Sequence, residues 1–179
     1  MSRILLAAGA SAALHKSCDL ASKLSQAGHE VRCVLTPRAA QLIDPQLFEA
    51  LTGQPAASDE FGPGRHGAMD HIELARWAEL MLVAPCSADL MARLALGLAG
   101  DLPSTVSLAL EPGVPRVLSP AMNPVMWQAP SVQRHLATLK GDGWKVLEPE
   151  AGHMACGEAG LGRMAEPAEI VEALGAFLT

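Results

Sequence analysis

The chain has 179 residues, half of them apolar, which is enough for one domain with a sizeable core and too few for two ordinary ones. The net charge is −6 and no Lys/Arg-rich run occurs, so the basic footprint of a nucleic-acid-binding protein is absent. The N-terminal apolar stretch is only strand length and no apolar run approaches the ~20 residues of a membrane span, which predicts no secretory signal, no membrane partner and a cytoplasmic location.

Apolar runs of strand length alternate with helical patterns along the chain. Arg3–Ala8 reads as a first strand ending at Gly9, and residues 12–27 as a helix stopped by Gly28. Glu30–Leu35 is a second strand closed by Thr36-Pro37, and residues 39–51 form a second helix. Residues 52–70, rich in Gly, Pro and polar groups, read as a loop, and residues 71–78 as a short helix. Residues 80–84 are a buried strand ending at Pro85. Residues 87–98 and 103–110 are helices, 116–119 a strand ending at Pro120, 130–140 a helix and 145–147 a last strand. Residues 149–165 are glycine-rich and aperiodic and read as a long loop, before a closing helix over 167–178. The alternation predicts an α/β fold: three layers, a doubly wound parallel sheet with helices on both faces, in one domain spanning 1–179. Such sheets bind ligands beyond the carboxyl ends of their strands.

The residues after each strand are therefore the candidates. After the first come Gly9, Ala10 and Ser11, where a helix N-terminus and a hydroxyl suit a phosphate, although an ordinary strand-to-helix turn would look the same. Thr36, at the end of the second strand, offers a second hydroxyl near the same place. After the third stand Pro85-Cys86-Ser87-Ala88-Asp89. Ser87 is a natural N-cap whose neighbouring N–H groups a cofactor can share, and Asp89 suits the helix dipole. Cys86 reads as a small buried hydrophobe. After the fourth come Pro120-Ala121-Met122-Asn123-Pro124-Val125-Met126-Trp127. Asn123 precedes a proline and so stays out of the helical region, where its amide either forms a turn or meets a ligand. His71 opens a helix and is a candidate base, with His66 nearby as an equal candidate. Cys156 lies in a glycine-rich stretch as an available proton donor or nucleophile. With Cys18 and Cys33 it completes a set of four cysteines without any Cys-x-x-Cys pair, so zinc or another metal is not expected.

Together these segments resemble one family, the homo-oligomeric flavin-containing cysteine decarboxylases, from Arg3 to about Val171. Residues 120–127 match its Pro-x-Met-Asn-x-x-Met-Trp signature, and His71-Ile-x-Leu-x-x-Trp-Ala matches the segment bearing its active-site histidine. Residues 85–89 stand where the family has Pro-Ala-Ser-Ala-Asn-Thr, with Cys86 for Ala and Asp89 for Asn. Leu14-His15-Lys16 replaces the aromatic residue or Ile that often precedes that lysine. Ala155-Cys156-Gly157 and the run Gly162-Arg163-Met164-Ala165-Glu166-Pro167 match the substrate clamp of the members acting on 4′-phosphopantothenoylcysteine.

The resemblance implies flavin mononucleotide (FMN) as cofactor and decarboxylation of 4′-phosphopantothenoylcysteine to 4′-phosphopantetheine in coenzyme A biosynthesis. The substrate thiol is oxidised to a thioaldehyde, carbon dioxide leaves, and the ene-thiolate is then reduced and protonated. On this basis His71 is the base or electrostatic partner, Asn123 orients the substrate and Cys156 is the proton donor. Gly9, Ala10, Ser11, Thr36, Ser87, Ala88, Asp89 and Ala121 contact the flavin, while Met122 and Ala155 join Asn123 and Cys156 at the substrate. The family also implies self-association as a trimer or trimer-based dodecamer with sites between subunits. Many bacterial relatives carry a fused ligase domain, which marks this chain as a stand-alone enzyme or an excised domain. The competing expectations are a peptidyl-cysteine decarboxylase, a flavin prenyltransferase, which would lack the Pro-x-Met-Asn signature, and a non-catalytic regulatory subunit.

Overall fold

The computed structural model describes residues 1–61, 70–153, 157 and 159–178. Strand β1 (Arg3–Ala8) is followed by α1 (Leu14–Gln26), whose buried Leu14, Ser17, Leu20, Ala21 and Leu24 recur at helical spacing. Strand β2 (Glu30–Leu35) leads into a segment expected as one helix. It is two: α2 (Pro37–Ala40) and α3 (Pro45–Thr52). Pro45 disfavours helical backbone in the residue before it, and Asp44 instead caps α3 by accepting from Gln46 N–H at 2.8 Å.

Within the expected loop 52–70 the two residues of β3 (Ala56–Ala57) add to the sheet beside β2. Helix α4 (Asp70–Trp77) leads to β4 (Leu80–Cys86), which runs two residues beyond the expected strand and is buried throughout. Helices α5 (Ala88–Leu96) and α6 (Leu102–Ala109) follow, then β5 (Arg116–Pro120). A helix with no counterpart in the sequence reading, α7 (Pro124–Gln128), starts where Asn123 caps it. Then come α8 (Pro130–Gly141) and β6 (Lys145–Val146). The expected glycine-rich loop instead contains an antiparallel pair, β7 (Glu150–His153) and β8 (Ala159–Arg163), before α9 (Pro167–Leu174). Backbone pairing there needs no apolar alternation, because the pair stands apart from the main sheet.

The main sheet has the order β3-β2-β1-β4-β5-β6 and is parallel throughout. Alternate residues of each strand serve the two faces. Ile4, Leu6 and Ala8 of β1 with Leu80, Leu82 and Ala84 of β4 pack under α1, Phe48 of α3 and Ile170 of α9. Leu5, Ala7, Met81 and Val83 pack on the other side, under α4, α5, α6 and α8. This is the expected three-layer, doubly wound arrangement. The chain leaves β1 in one direction through β2 and β3, then returns to add β4 on the opposite side. The crevice therefore opens between the carboxyl ends of β1 and β4. No described helix is long and apolar enough to cross a membrane.

Leu82 is fully buried in the central strand β4. Leu82→Ala is expected to lower the unfolding free energy by about 2–5 kcal/mol, read by urea titration as a lower midpoint with an unchanged slope.

Candidate active site

Gly9 N–H donates to the Pro85 carbonyl at 2.9 Å, so the ends of β1 and β4 touch. A Cβ on Gly9 would lie 2.9 Å from Ser87 Oγ and 3.0 Å from that carbonyl, so only glycine lets the two loops come this close. Beyond the junction, Ser11 Oγ accepts from Ala13 N–H at 3.2 Å, and Ser87 Oγ caps α5 by accepting from Leu90 N–H at 3.3 Å. The backbone N–H groups of Ala10, Ser11, Ala12, Ala88 and Asp89 find no acceptor among the described residues. The loop leading into α1 and the N-terminus of α5 thus present free donors at one place, which is the electrostatics of an anion cradle.

The cradle opens into a cavity of about 440 Å³. Ala121, Met122 and Met126 form an apolar wall from the 120s loop, and Gly162 and Met164 form another from the end of β8. Asn123 also faces the cavity. Its Oδ1 accepts from Met126 N–H at 2.7 Å, while its Nδ2 donates to no protein group among the described residues. An oriented amide donor at a strand end, beside an apolar wall, can hold a ligand carboxylate.

A charged cluster lines the rest. Lys16 Nζ reaches Glu166 Oε1 at 2.9 Å and the Met164 carbonyl at 3.2 Å. Arg163 is paired with the same Glu166 and, at 3.3 Å, with Glu150. The Lys16 hydrogen bond, reinforced by Arg163, holds the Glu166 carboxyl below the usual carboxylate range. Glu150 moves the other way, pushed up by its hydrogen bond to Glu169 against the pull of Arg163. Burial pushes the Cys86 thiol up, so this residue is core packing rather than a nucleophile.

Of the residues singled out from the sequence, Ala10, Ser11, Ser87, Ala88, Ala121, Met122 and Asn123 line this one cavity. Gly9 sits behind them as the junction. Thr36 is buried and caps α2, accepting from Ala39 N–H at 3.2 Å, and Asp89 pairs with Arg93 at 2.9 Å; neither lines the cavity. His71 is on α4, paired with Glu60, and does not line it either. Ala155, Cys156 and His66 lie outside the described residues. No group of three or more metal-ligating side chains occurs among the described residues. The resemblance put Arg163 and Glu166 in a substrate-clamp run without individual roles, and gave Lys16 no role at the site. Lys16 and Glu166 are 150 positions apart, and nothing local in the sequence joins them.

Comparison with known proteins adds to this geometry. The Flavoprotein family model matches residues 1–179. The chain belongs to the Flavoprotein family. It is 41% identical over 169 residues to the coenzyme A biosynthesis bifunctional protein CoaBC of Vibrio vulnificus, a match covering 94% of this chain and 42% of that protein. The chain thus spans about two fifths of the length of that relative. A PPC decarboxylase mutant complexed with pantothenoylaminoethenethiol superposes with a TM-score of 0.87 at 31% identity, covering 98% of this chain and 97% of the other. The FMN binding protein AtHal3 superposes with a TM-score of 0.84 at 33% identity, covering 98% and 96%.

The residues present suit a flavin. The anion cradle fits a phosphate, and an apolar cavity of this size fits a ring system. Gly9→Ala is expected to force the β1 and β4 loops apart and weaken flavin retention by about tenfold or more in a chain that still folds. Visible flavin absorbance per chain after desalting, beside a far-ultraviolet circular dichroism spectrum, checks this.

Proposed function

We propose that this chain catalyses the FMN-dependent decarboxylation of 4′-phosphopantothenoylcysteine to 4′-phosphopantetheine, a step of coenzyme A biosynthesis. The observation that carries the reading is the amide of Asn123, with a free donor on the wall of a cavity that also contains the anion cradle. The similarity to CoaBC and to a PPC decarboxylase supports the same substrate. FMN is the flavin named for the similar AtHal3 and SpaF structures. When bound, it supplies the two-electron acceptor and donor that protein side chains lack.

The protein's own part is binding, orientation and proton handling. The N–H groups of Ala10, Ser11, Ala12 and Ala88 hold the cofactor phosphate. Ala121 and Met122 line its ring site. Asn123 Nδ2 donates to the substrate carboxylate and so aligns the bond that breaks. His71 takes the thiol proton during oxidation. Because His71 stands off the cavity that Asn123 lines, the two meet in an assembly, a trimer or trimer-based dodecamer, in which one copy supplies His71 to another's cavity. Cys156 returns a proton in the final reduction.

Incubation with 4′-phosphopantothenoylcysteine is expected to yield 4′-phosphopantetheine by mass spectrometry; an intact flavoprotein that leaves the substrate unchanged sinks the proposal. His71→Asn is expected to keep its flavin and lose decarboxylation by about 100-fold or more, and retained turnover removes His71 from the catalytic set. Cys156→Ser is expected to stop at the oxidised ene-thiol product, and full phosphopantetheine formation by this variant contradicts its role as proton donor.

A further inference from the structure

The loop carrying Asn123 is held by a strand that does not belong to the main sheet. β8 meets it on both sides of the asparagine. On one side, Met122 N–H donates to the Gly162 carbonyl at 3.0 Å. On the other, Gly160 lies so close to Pro124 that a Cβ at position 160 would stand 2.8 Å from Pro124 Cγ and 3.0 Å from its Cβ. β8 is itself tied down at its far end. The stem of Arg163 crosses Gly152 on the paired strand, where a Cβ would meet Arg163 Cδ at 3.2 Å. The Arg163 guanidinium reaches Glu150 on β7 and Glu166 at the start of α9. Lys16 adds a tie from α1 through the Met164 carbonyl.

Asn123 has little freedom of its own. Its Oδ1 is committed to capping α7 and its backbone is restricted by the proline that follows, so where its Nδ2 points follows the position of Pro124. We propose that β8 is a brace for Asn123, and that Gly160 and Arg163 are positioning residues of the site. Gly160 lets the strand seat against Pro124, and Arg163 keeps the strand at that height. Gly160 does not line the cavity; Arg163 does, and its positioning role is its hold on the strand through Glu150 and Glu166. A displacement of a few tenths of an ångström at Pro124 turns the amide away from the carboxylate, and hydrogen bonding and alignment for reaction are both steep in such displacements. The inference rests on the reading of Asn123 as the group that orients the substrate.

Asn123 is the chain's only asparagine, so protein made with isotope-labelled asparagine gives one side-chain amide pair by NMR, a readout that needs no turnover. In the flavin-loaded protein, Gly160→Ala is expected to move that pair and to lower kcat/KM for 4′-phosphopantothenoylcysteine by on the order of 10- to 100-fold, with flavin content unchanged. Arg163→Met is expected to act in the same direction, with part of the loss restored in Arg163→Lys. In a Pro124→Ala background, Gly160→Ala is expected to cost less than it does alone, which separates contact with Pro124 from backbone strain at position 160. Unmoved Asn123 signals with unchanged kcat/KM overturn the brace, as does an equal loss in the Pro124→Ala background. If Gly160→Ala does not fold, the Arg163 pair decides by the same two readouts. If the unaltered protein fails to turn over the substrate, the proposed function falls while the Asn123 signals still decide the brace.

Discussion

The contact between Gly9 and the Pro85–Ser87 turn is the constraint on which the rest depends. Two neighbouring parallel strands end at one level, and the next helices on either side start from there. Because a side chain at position 9 has no room, the loop before α1 and the start of α5 converge, and unshared N–H groups of residues 10–12 and of Ala88 gather at one cavity. A wider junction would leave two separate helix starts, each satisfied by water. The central sheet is apolar on both faces and close-packed, so it fixes the heights of β1 and β4 within the limits of core packing. The core thereby sets the shape of a site to which it contributes few atoms.

Around this junction the walls come from parts of the chain with little in common. The 120s loop supplies an apolar surface and an amide, and the end of β8 supplies backbone and a charge network. Glu166 joins them electrostatically, since a single carboxylate oxygen serves both Lys16 and Arg163. An ion held this way is less exposed to competition from solvent than a lone surface pair, because each partner orders the others.

The fold was largely legible because the dominant signal, buried strands alternating with amphipathic helices, is local. Each main-sheet strand of more than two residues was recognised. The misreadings have local causes too. Pro45 interrupts a run whose apolar pattern continues across it, so the pattern alone looked like one helix. The β7–β8 pair carries no alternating apolar face and crosses at two glycines, Gly152 and Gly160, so periodicity had nothing to detect. The site was legible in part for the same reason. Ser11, Ser87 and Asn123 announce themselves as polar residues at strand ends, and they do share a cavity. Thr36 has the same local signature but its hydroxyl is spent on α2, a choice that sequence position cannot reveal. Lys16 acquires meaning only through its contacts with Met164 and Glu166, across almost the whole chain.

Those same contacts set the order in which the cavity can come into being. Its first wall, residues 10–16, leaves the ribosome well before its last, residues 162–166, Lys16 and Glu166 being separated by 150 positions. At the pace of translation the two are separated by roughly ten seconds or more. The cradle at β1 and β4 can close well before then, as a half-built pocket open on one side to water. Enclosure of a ligand therefore waits until residues 162–166 have been made, however early the strands beneath the cradle have paired.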